Sequence, residues 1–408
     1  MKKFNKVLSV VVASAMVMAM AGCGNTDNGS AATGTNAATE SAAADNGAAS
    51  GSVFKIGGIG PTTGGAAVYG LAVQHGAEIA VEEINAAGGI NGYQVEFKFQ
   101  DDEADAEKSV NAYNALKDWG AQIIDGSTTS GACIAVTDKT KEDNMFQITP
   151  SGSAVECVQY DNNFRVCFSN PNQGLASAQY IGENGLAEKI AVIYDSSDVY
   201  SSGIYEKFVK EAENQPFEVV AAEAFTADNK TDFSVQLQKA KDAGADMVFL
   251  PIYYQESALI LTQAAAMGYA PKWFSCDGMD GILGGVDNFD VSLTEGVMLL
   301  TPFAADATDD LTQSFVTKYK EKYGETPNQF AADSYDAIYV IKAAIEKSGV
   351  TPDMSVSDIC DGMKAAMTEI TVDGLTGNGM TWTADGEANK APIYAMPRNI
   401  IFSANVSF

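Results

Sequence analysis

Short runs of β-branched and aromatic residues alternate with longer amphipathic stretches along most of the chain. Helical patterns such as Ala106–Trp119 separate the short runs. Strands separated by helices of this length form parallel βαβ units, so the pattern predicts two doubly wound α/β lobes. The predicted strands are Phe54–Ile59, Gln94–Gln100, Ala121–Asp125 and Met145–Thr149 in the first run, and Lys189–Tyr194, Glu218–Ala222, Asp246–Pro251 and Lys272–Ser275 in the second.

The two runs of elements resemble each other. A helix end, a glycine and a strand follow one another in Lys117–Ile124 and again in Lys241–Val248. Glycine is common after any helix, so this match is modest evidence by itself. The repeated strand order adds to it and supports two lobes of similar design. Ligands of such sheets bind beyond the carboxyl ends of the strands, which predicts a binding cleft between the lobes.

The first 52 residues do not follow this pattern. A basic start is followed by the apolar run Val7–Met20 and by small residues directly before Cys23. This arrangement resembles the lipobox of bacterial lipoproteins and predicts a signal peptide over 1–22 and lipidation of Cys23. A plain secretory signal with an incidental cysteine is the alternative. Residues 24–52 lack Val, Ile, Leu and aromatic residues, so 23–52 is predicted to be a lipidated cysteine with a flexible tether.

Composition restricts the partners of the protein. The 408 residues suit two lobes, and 25 Lys and Arg against 53 Asp and Glu give a formal net charge of −28. A protein that binds nucleic acids or anionic membrane surfaces needs a cluster of basic residues, so both are excluded as partners of this acidic chain. Membrane contact is expected only through the lipid on Cys23.

The cysteines carry little information. Five follow Cys23, an odd number, so at least one thiol is unpaired within the chain. The spacing of Cys157 and Cys167 allows a disulfide but fits no metal motif, and buried free thiols are the simpler interpretation.

The glycine-rich turn Gly58-x-Gly60 follows a strand and opens a helix, as nucleotide sites do. A third glycine in register is missing, and Asp101, the first acid after the second strand, comes too late for a dinucleotide site. His75 is the only histidine and lies within a helical pattern. Motifs for hydrolases and for EF-hand calcium sites are missing from the sequence. We therefore predict that the protein is not an enzyme and uses no cofactor or metal.

Hydroxyl residues follow two of the predicted strands. The segment Ser127–Gly131 comes after the third strand and before a helix, and Ser151–Ser153 comes after the fourth. Hydroxyls and free N–H groups at a helix start can hold a carboxylate without arginine. Ordinary helix capping is the alternative for each residue.

Several segments together resemble the Leu/Ile/Val-binding protein family, the type I extracellular solute-binding proteins of amino-acid ABC importers. They include "KIGGIGPTTGGAAVYG", "ITPSGSA", "NFRVCFSNPNQG" and "ADSYDAIYVIKAAI", and the resemblance runs from Val53 to the C-terminus. The family implies two lobes that close on a ligand and are joined by three crossovers. The resemblance places these crossovers near Ser169–Gln173, Thr301–Phe303 and Gly386–Pro392, with lobe 1 formed by 53–171 plus 303–385 and lobe 2 by 172–302 plus 386–408.

The resemblance also assigns residues to the binding of an amino acid. Ser130, or Thr129 one position earlier, matches the carboxylate contact. The ammonium group would be held by the Ser151 carbonyl, the Ser153 side chain and Asp277, where well-studied members carry Glu. The aromatic residues expected to wall the ligand are Tyr69, Tyr200, Tyr253 and Phe330.

The resemblance implies a solute-binding protein that captures a branched-chain or other neutral amino acid and delivers it to the membrane subunits of an ABC permease. The predicted lipidation of Cys23 adds export and a lipid anchor at the cell membrane, and a monomer is expected because a hinged clamp works alone. An amide, a urea-like compound or an aromatic acid is the alternative ligand. A ligand-sensing receptor and an exported hydrolase are the alternative classes of protein.

Overall fold

The computed structural model describes residues 51–390, 393–396 and 400–402. The predicted signal peptide, Cys23 and nearly all of the tether lie outside the described residues, as does Pro392 in the third predicted crossover. Within the described part of the chain, no helix has the length and apolarity needed to cross a bilayer.

The first sheet has five parallel strands in the order β2-β1-β3-β4-β5. Strand β1, the second in this order, pairs Phe54 with Val95 of β2 and Ile56 with Ile123 of β3. The connecting helices place their apolar sides against this sheet. The elements are β1 (Phe54–Gly60), α1 (Ala67–Ala86), β2 (Val95–Asp101), α2 (Ala106–Trp119), β3 (Ile123–Asp125), α3 (Ser130–Asp143), β4 (Phe146–Thr149) and β5 (Asn163–Arg165).

The second sheet has seven strands in the order β14-β13-β10-β9-β8-β6-β7. Strands β6 to β10 are parallel, whereas β13 and β14 join the sheet antiparallel. The strands are β6 (Lys189–Asp195), β7 (Glu218–Phe225), β8 (Met247–Leu250), β9 (Lys272–Ser275), β10 (Met298–Thr301), β13 (Ile393–Met396) and β14 (Ile400–Phe402). The helices are α4 (Asn170–Glu183), α5 (Val199–Ala212), α6 (Ser234–Asp242), α7 (Tyr254–Ala266) and the short α8 (Ile282–Gly285).

Three later helices return to the first sheet. These are α9 (Asp310–Tyr323), α10 (Gln329–Ser348) and α11 (Val356–Met367), followed by a small hairpin of β11 (Thr381–Trp382) and β12 (Ala388–Asn389). Helix α10 packs along α1 and against β3 and β4. The two helices approach closely at Gly76, where a Cβ atom would lie 2.0 Å from the Ala331 carbonyl oxygen. A larger residue at Gly76 would therefore push α10 away from the core.

The predicted strand and helix order is confirmed, with bounds that shift by a few residues at most. The pattern missed β5 and β10, the hairpin strands β11 and β12, and the antiparallel pair β13 and β14. Strand β5 has only three residues, which is too short to show a periodicity. The chain passes between the sheets after β5, after β10 and after β12, and the exact lobe boundaries stay a prediction.

Candidate functional site

A small cavity lies where the carboxyl ends of strands from both sheets meet the starts of α1, α3 and α10. Its volume is about 20 Å³, and residues of both lobes form its wall. All of the predicted ligand-binding residues except Ser153 line it. The lining residues are Tyr69, Thr128, Thr129, Ser130, Ser151, Tyr200, Tyr253, Asp277, Gly278 and Phe330.

One side of the cavity is the N-terminus of α3. Thr129 precedes the helix in an extended conformation, and its side chain makes no capping hydrogen bond. Its Oγ1 atom is buried and has no partner among the described residues. The first N–H groups of an α-helix have no partner within the helix and carry its positive dipole end. This side can therefore donate several hydrogen bonds to an anion.

Ser130 contributes a donor to the same side. Its Oγ atom accepts hydrogen bonds from the backbone N–H groups of Ser153 and Ala154, both at 3.1 Å. A hydroxyl oxygen accepts two hydrogen bonds and donates one, so the Ser130 proton can go either to the Ser153 Oγ atom or to a carboxylate in the cavity.

Ser153 lies behind this wall. It is buried, and its Oγ atom is 3.4 Å from the Ser130 Oγ atom. The geometry thus gives Ser153 an indirect position, in contrast to the ammonium contact expected from the sequence. Ser151 does line the cavity, and its hydroxyl donates to the Thr128 carbonyl at 2.6 Å.

Asp277 faces the cavity from the second lobe. Its Oδ1 atom accepts a hydrogen bond from the Tyr200 hydroxyl at 2.5 Å, and its Oδ2 atom accepts one from Gln173 Nε2 at 2.8 Å. Burial raises the pKa of Asp277 to about 6, although these two hydrogen bonds favour the ionised form. Asp277 therefore supplies a buried, oriented negative charge at neutral pH.

Aromatic rings surround the polar groups. The ring centroids of Tyr69 and Phe330 are 4.5 Å apart, those of Tyr69 and Tyr253 are 5.4 Å apart, and Tyr200 stacks on Tyr253 at 5.1 Å. The Tyr69 hydroxyl donates to the Gly278 carbonyl of the second lobe and accepts from the Tyr254 N–H at 3.1 Å. Tyr69 thus links α1 of the first lobe to the second.

Two glutamines at the site were missed by the sequence analysis. Gln173 contacts Asp277, and Gln329 joins the lobes by donating from its N–H to Asp280 at 2.9 Å and from Nε2 to the Asp277 carbonyl at 3.4 Å. Gln173 falls within a predicted crossover, and Gln329 precedes the predicted wall residue Phe330. These two positions in the sequence pointed toward the site, but no sequence motif identifies a glutamine as a binding-site residue.

A buried arginine supports the loop after β4. Arg165 is fully buried, and its Nη1 and Nη2 atoms donate to the carbonyls of Gly152 and Ala154 at 3.2 and 2.8 Å. Its Nε atom lies 3.3 Å from a Glu387 carboxylate oxygen. These contacts fix the loop that places Ser151 in the cavity wall.

The glycine-rich turn has a packing role. A Cβ atom at Gly60 would lie 2.1 Å from Thr128 Oγ1, so glycine lets the turn approach a residue that lines the cavity. His75 stacks on Tyr323 with centroids 3.7 Å apart, as a structural histidine does. Cys157 and Cys167 are free and buried, as are the other cysteines of the described chain, so the structure contains no disulfide between this pair.

Comparisons with known proteins agree with this architecture. Residues 53–397 match the periplasmic binding protein family. Leu/Ile/Val-binding protein homolog 3 of Brucella melitensis is 31% identical over 300 residues, which cover 73% of this chain and 80% of that protein. The leucine-, isoleucine-, valine-, threonine- and alanine-binding protein of Pseudomonas aeruginosa is 30% identical over 303 residues, which cover 72% and 79% of the two chains.

A solved structure extends the similarity to three dimensions. LivJ, the substrate binding protein of a Streptococcus pneumoniae branched-chain amino acid transporter, was solved in complex with isoleucine. It is 28% identical, with a TM-score of 0.74 over 84% of this chain and 95% of that one. The predicted fold class of two α/β lobes is confirmed. The chain therefore belongs to the periplasmic binding protein family, among the Leu/Ile/Val-binding proteins.

Proposed function

We propose that this protein captures a branched-chain or other neutral amino acid between its lobes and delivers it to an ABC importer, while a lipid on Cys23 holds it at the outer face of the cell membrane. The family consists of exported solute-binding proteins. The observation that carries the amino-acid ligand is the placement of hydrogen-bond donors at Thr129 and Ser130 and of the Asp277 carboxylate around one cavity.

A zwitterion loses water from both of its charges when a cleft closes on it, so each charge needs a partner of opposite polarity. The start of α3 offers hydroxyl and N–H donors to the carboxylate. Asp277 offers charge-assisted hydrogen bonds to the ammonium group, which are about twice as strong as neutral ones. The two halves of an amino acid thus have separate partners in this site.

The aromatic wall suits an apolar side chain, since tyrosine offers a flat apolar face with a polar tip. The cavity of about 20 Å³ has room for about one or two water molecules. An amino acid therefore enters only when the rings and the lobes move apart. The link between Tyr69 and Gly278 is one of the contacts that must break or shift in this opening.

The similar proteins favour neutral amino acids. LivJ was solved with isoleucine, and the Pseudomonas aeruginosa relative is named for leucine, isoleucine, valine, threonine and alanine. We place the lobe boundaries as the sequence predicts them, at 53–171 plus 303–385 and 172–302 plus 386–408. We also propose that the protein acts as a monomer, because one hinged chain supplies both walls of the site.

Thermal unfolding in the presence of the twenty amino acids, urea, acetamide and benzoate tests the ligand class. A ligand at a hundred times its Kd stabilises the folded state by about 2.7 kcal/mol, so we expect a clear rise in Tm with leucine, isoleucine or valine. Asp277→Asn should abolish this rise, and Asp228→Asn, at an exposed acid of the same lobe, should keep it. Rises with benzoate or urea alone would overturn the amino-acid ligand and leave the role in solute binding.

A further inference from the structure

A second and much larger cavity, of about 650 Å³, adjoins the small one. Three segments contribute residues to both cavities: α1, the chain after β9 and the start of α10. In α1, Val68 lines the large cavity and Tyr69 lines the small one. After β9, Asp280 lines the large cavity and Gly278 the small one. At the start of α10, Asn328 lines the large cavity and Phe330 the small one. The two cavities are therefore separate spaces built on shared segments.

The large cavity has the size and lining of a small-molecule site. Ligand pockets in proteins measure about 300 to 1,000 Å³ and are mostly apolar with a few polar groups. Leu71 and Leu283 belong to this lining and expose 37% and 44% of their surfaces. Leu299 and Phe303, on either side of the second passage between the sheets, continue the apolar lining. This surface can cover a hydrocarbon or aromatic group.

The charged residues of the cavity are mainly acidic. Asp280, Asp306 and Glu325 are the acidic residues of the lining, whereas Lys320 is the one basic residue among the described lining residues. The Asp280 carboxylate also accepts hydrogen bonds from the Gln329 and Gly281 N–H groups, both at 2.9 Å, and a Glu325 carboxylate oxygen lies 3.6 Å from His75 Nδ1. The whole chain carries a formal net charge of −28, which raises the local concentration of cations further. An organic anion of the same size would meet repulsion at this site.

We propose that this cavity is a second ligand site, separate from the amino-acid site, for a small organic cation with an apolar body, such as a primary amine on an aromatic or branched skeleton. The apolar body packs against the leucines and Phe303, and the amine lies toward the carboxylates. The ligand differs from an amino acid in having no carboxylate, which the acidic lining would repel.

Gly284 provides a way to fill this cavity. It lies in α8 in the cavity wall, and a Cβ atom at this position would meet no other atom within 4 Å. Gly284→Phe therefore introduces a bulky side chain without a backbone clash, and Gly284→Ala is the matched control. The neighbouring Gly285 is unsuitable, because a Cβ atom there would lie 2.6 Å from Val68.

Isothermal titration calorimetry with 2-phenylethylamine and with 3-phenylpropionate, its anionic counterpart of similar shape, tests the proposal. We expect the amine to bind and the acid to show no measurable heat of binding. Gly284→Phe should weaken amine binding at least about tenfold, which is the usual loss of affinity when a ligand no longer fits an apolar pocket. Gly284→Ala should stay within about twofold of the parent protein. The double variant Asp306→Asn/Glu325→Gln should weaken amine binding about three- to tenfold, as expected for the loss of two exposed charges.

The same titrations separate this site from the amino-acid site. Asp277→Asn should leave binding of 2-phenylethylamine within about twofold of the parent protein, because Asp277 lines the small cavity. Loss of amine binding in Asp277→Asn with full binding in Gly284→Phe would place the amine in the small cavity and overturn the proposal. No amine binding at 10 mM, or equal binding of 3-phenylpropionate, would also overturn it. None of these results depends on which amino acid the small cavity takes.

Discussion

Tyr200 donates a hydrogen bond to the Asp277 carboxylate at 2.5 Å, and the same hydroxyl accepts a hydrogen bond from the Gly278 N–H at 2.9 Å. Gln173 holds the other carboxylate oxygen at 2.8 Å. The acid is therefore fixed in place by its own lobe before any ligand arrives. Its burial nevertheless raises the pKa to about 6, so the folded protein holds an unfavourable charge at neutral pH.

Asp277→Asn should weaken binding of the amino acid while making the ligand-free protein more stable. Loss of a buried partner for the ammonium group is expected to raise the Kd at least about thirtyfold. The folded pKa of about 6 lies above the unfolded value, so the ionised carboxyl destabilises the fold above pH 6. Each unit of pKa shift corresponds to about 1.4 kcal/mol, so at pH 8 we expect a gain of about 1 to 3 kcal/mol in the free energy of unfolding.

Urea unfolding at pH 8 and at pH 4 measures this gain, and calorimetry measures the Kd. The gain should disappear near pH 4, where the carboxyl of the parent protein is protonated in the folded state. Asp228→Asn is the control, since Asp228 is exposed in the same lobe. A variant that binds the amino acid normally would contradict the assigned role of Asp277.

Binding of the amino acid should weaken on acidification. Below pH 6 Asp277 takes up a proton and loses the charge that faces the ammonium group, so the Kd should rise by up to about tenfold per pH unit. Tyr200→Phe removes a hydrogen bond that favours the ionised form, so it should move the midpoint of this change to higher pH. Titrations between pH 4.5 and 8 would show both effects. A Kd that stays constant over this range would argue against ionised Asp277 as the ammonium partner.

The strands and the polar residues at their ends could be predicted because both depend on local sequence. A parallel strand shows itself as a short apolar run, and residues directly after it lie at the edge where ligands bind. Thr129, Ser130, Ser151 and Asp277 all follow strands in this way. Their meeting around one cavity follows from the topology of the fold.

The supporting contacts could not be predicted, because they join distant parts of the chain. Gln173 and Asp277 are 104 positions apart, and Tyr69 and Gly278 are 209 positions apart. Asp102 shows the same limit, because it lies between the exposed residues Asp101 and Glu103 and is nevertheless fully buried. Burial of a polar residue depends on the packing of several elements, which a local pattern does not contain.

Thr129→Val should weaken ligand binding without loss of stability. The Thr129 hydroxyl is buried and has no partner among the described residues, so valine of similar shape removes an unpaired polar group. The same hydroxyl is proposed to bind the ligand carboxylate, and its loss should raise the Kd about tenfold. Calorimetry and thermal unfolding of the ligand-free protein measure the two effects. Thr129→Ser keeps the hydroxyl and should bind within about threefold of the parent protein.

Asp125 should make the stability of the protein depend on pH. It is fully buried in β3, where its Oδ2 atom accepts a hydrogen bond from Ser334 at 3.0 Å and its Oδ1 atom has no partner among the described residues. Burial raises its pKa to about 7, above the unfolded value. The folded protein therefore holds this proton up to higher pH than the unfolded chain, and stability falls as the pH rises from about 4 to 7.

Asp125→Asn removes this dependence without removing the side chain. Between pH 5 and 7 the slope of the free energy of unfolding against pH should become less negative by up to about 1.4 kcal/mol per pH unit. Above pH 7 the slopes of the two proteins should converge, because Asp125 is then ionised in both states of the parent protein. Urea unfolding at half-unit intervals of pH measures the slopes, and Asp228→Asn serves again as the exposed control. Equal slopes for Asp125→Asn and the parent protein would mean that Asp125 is ionised in the fold throughout this range, against the effect expected from its burial.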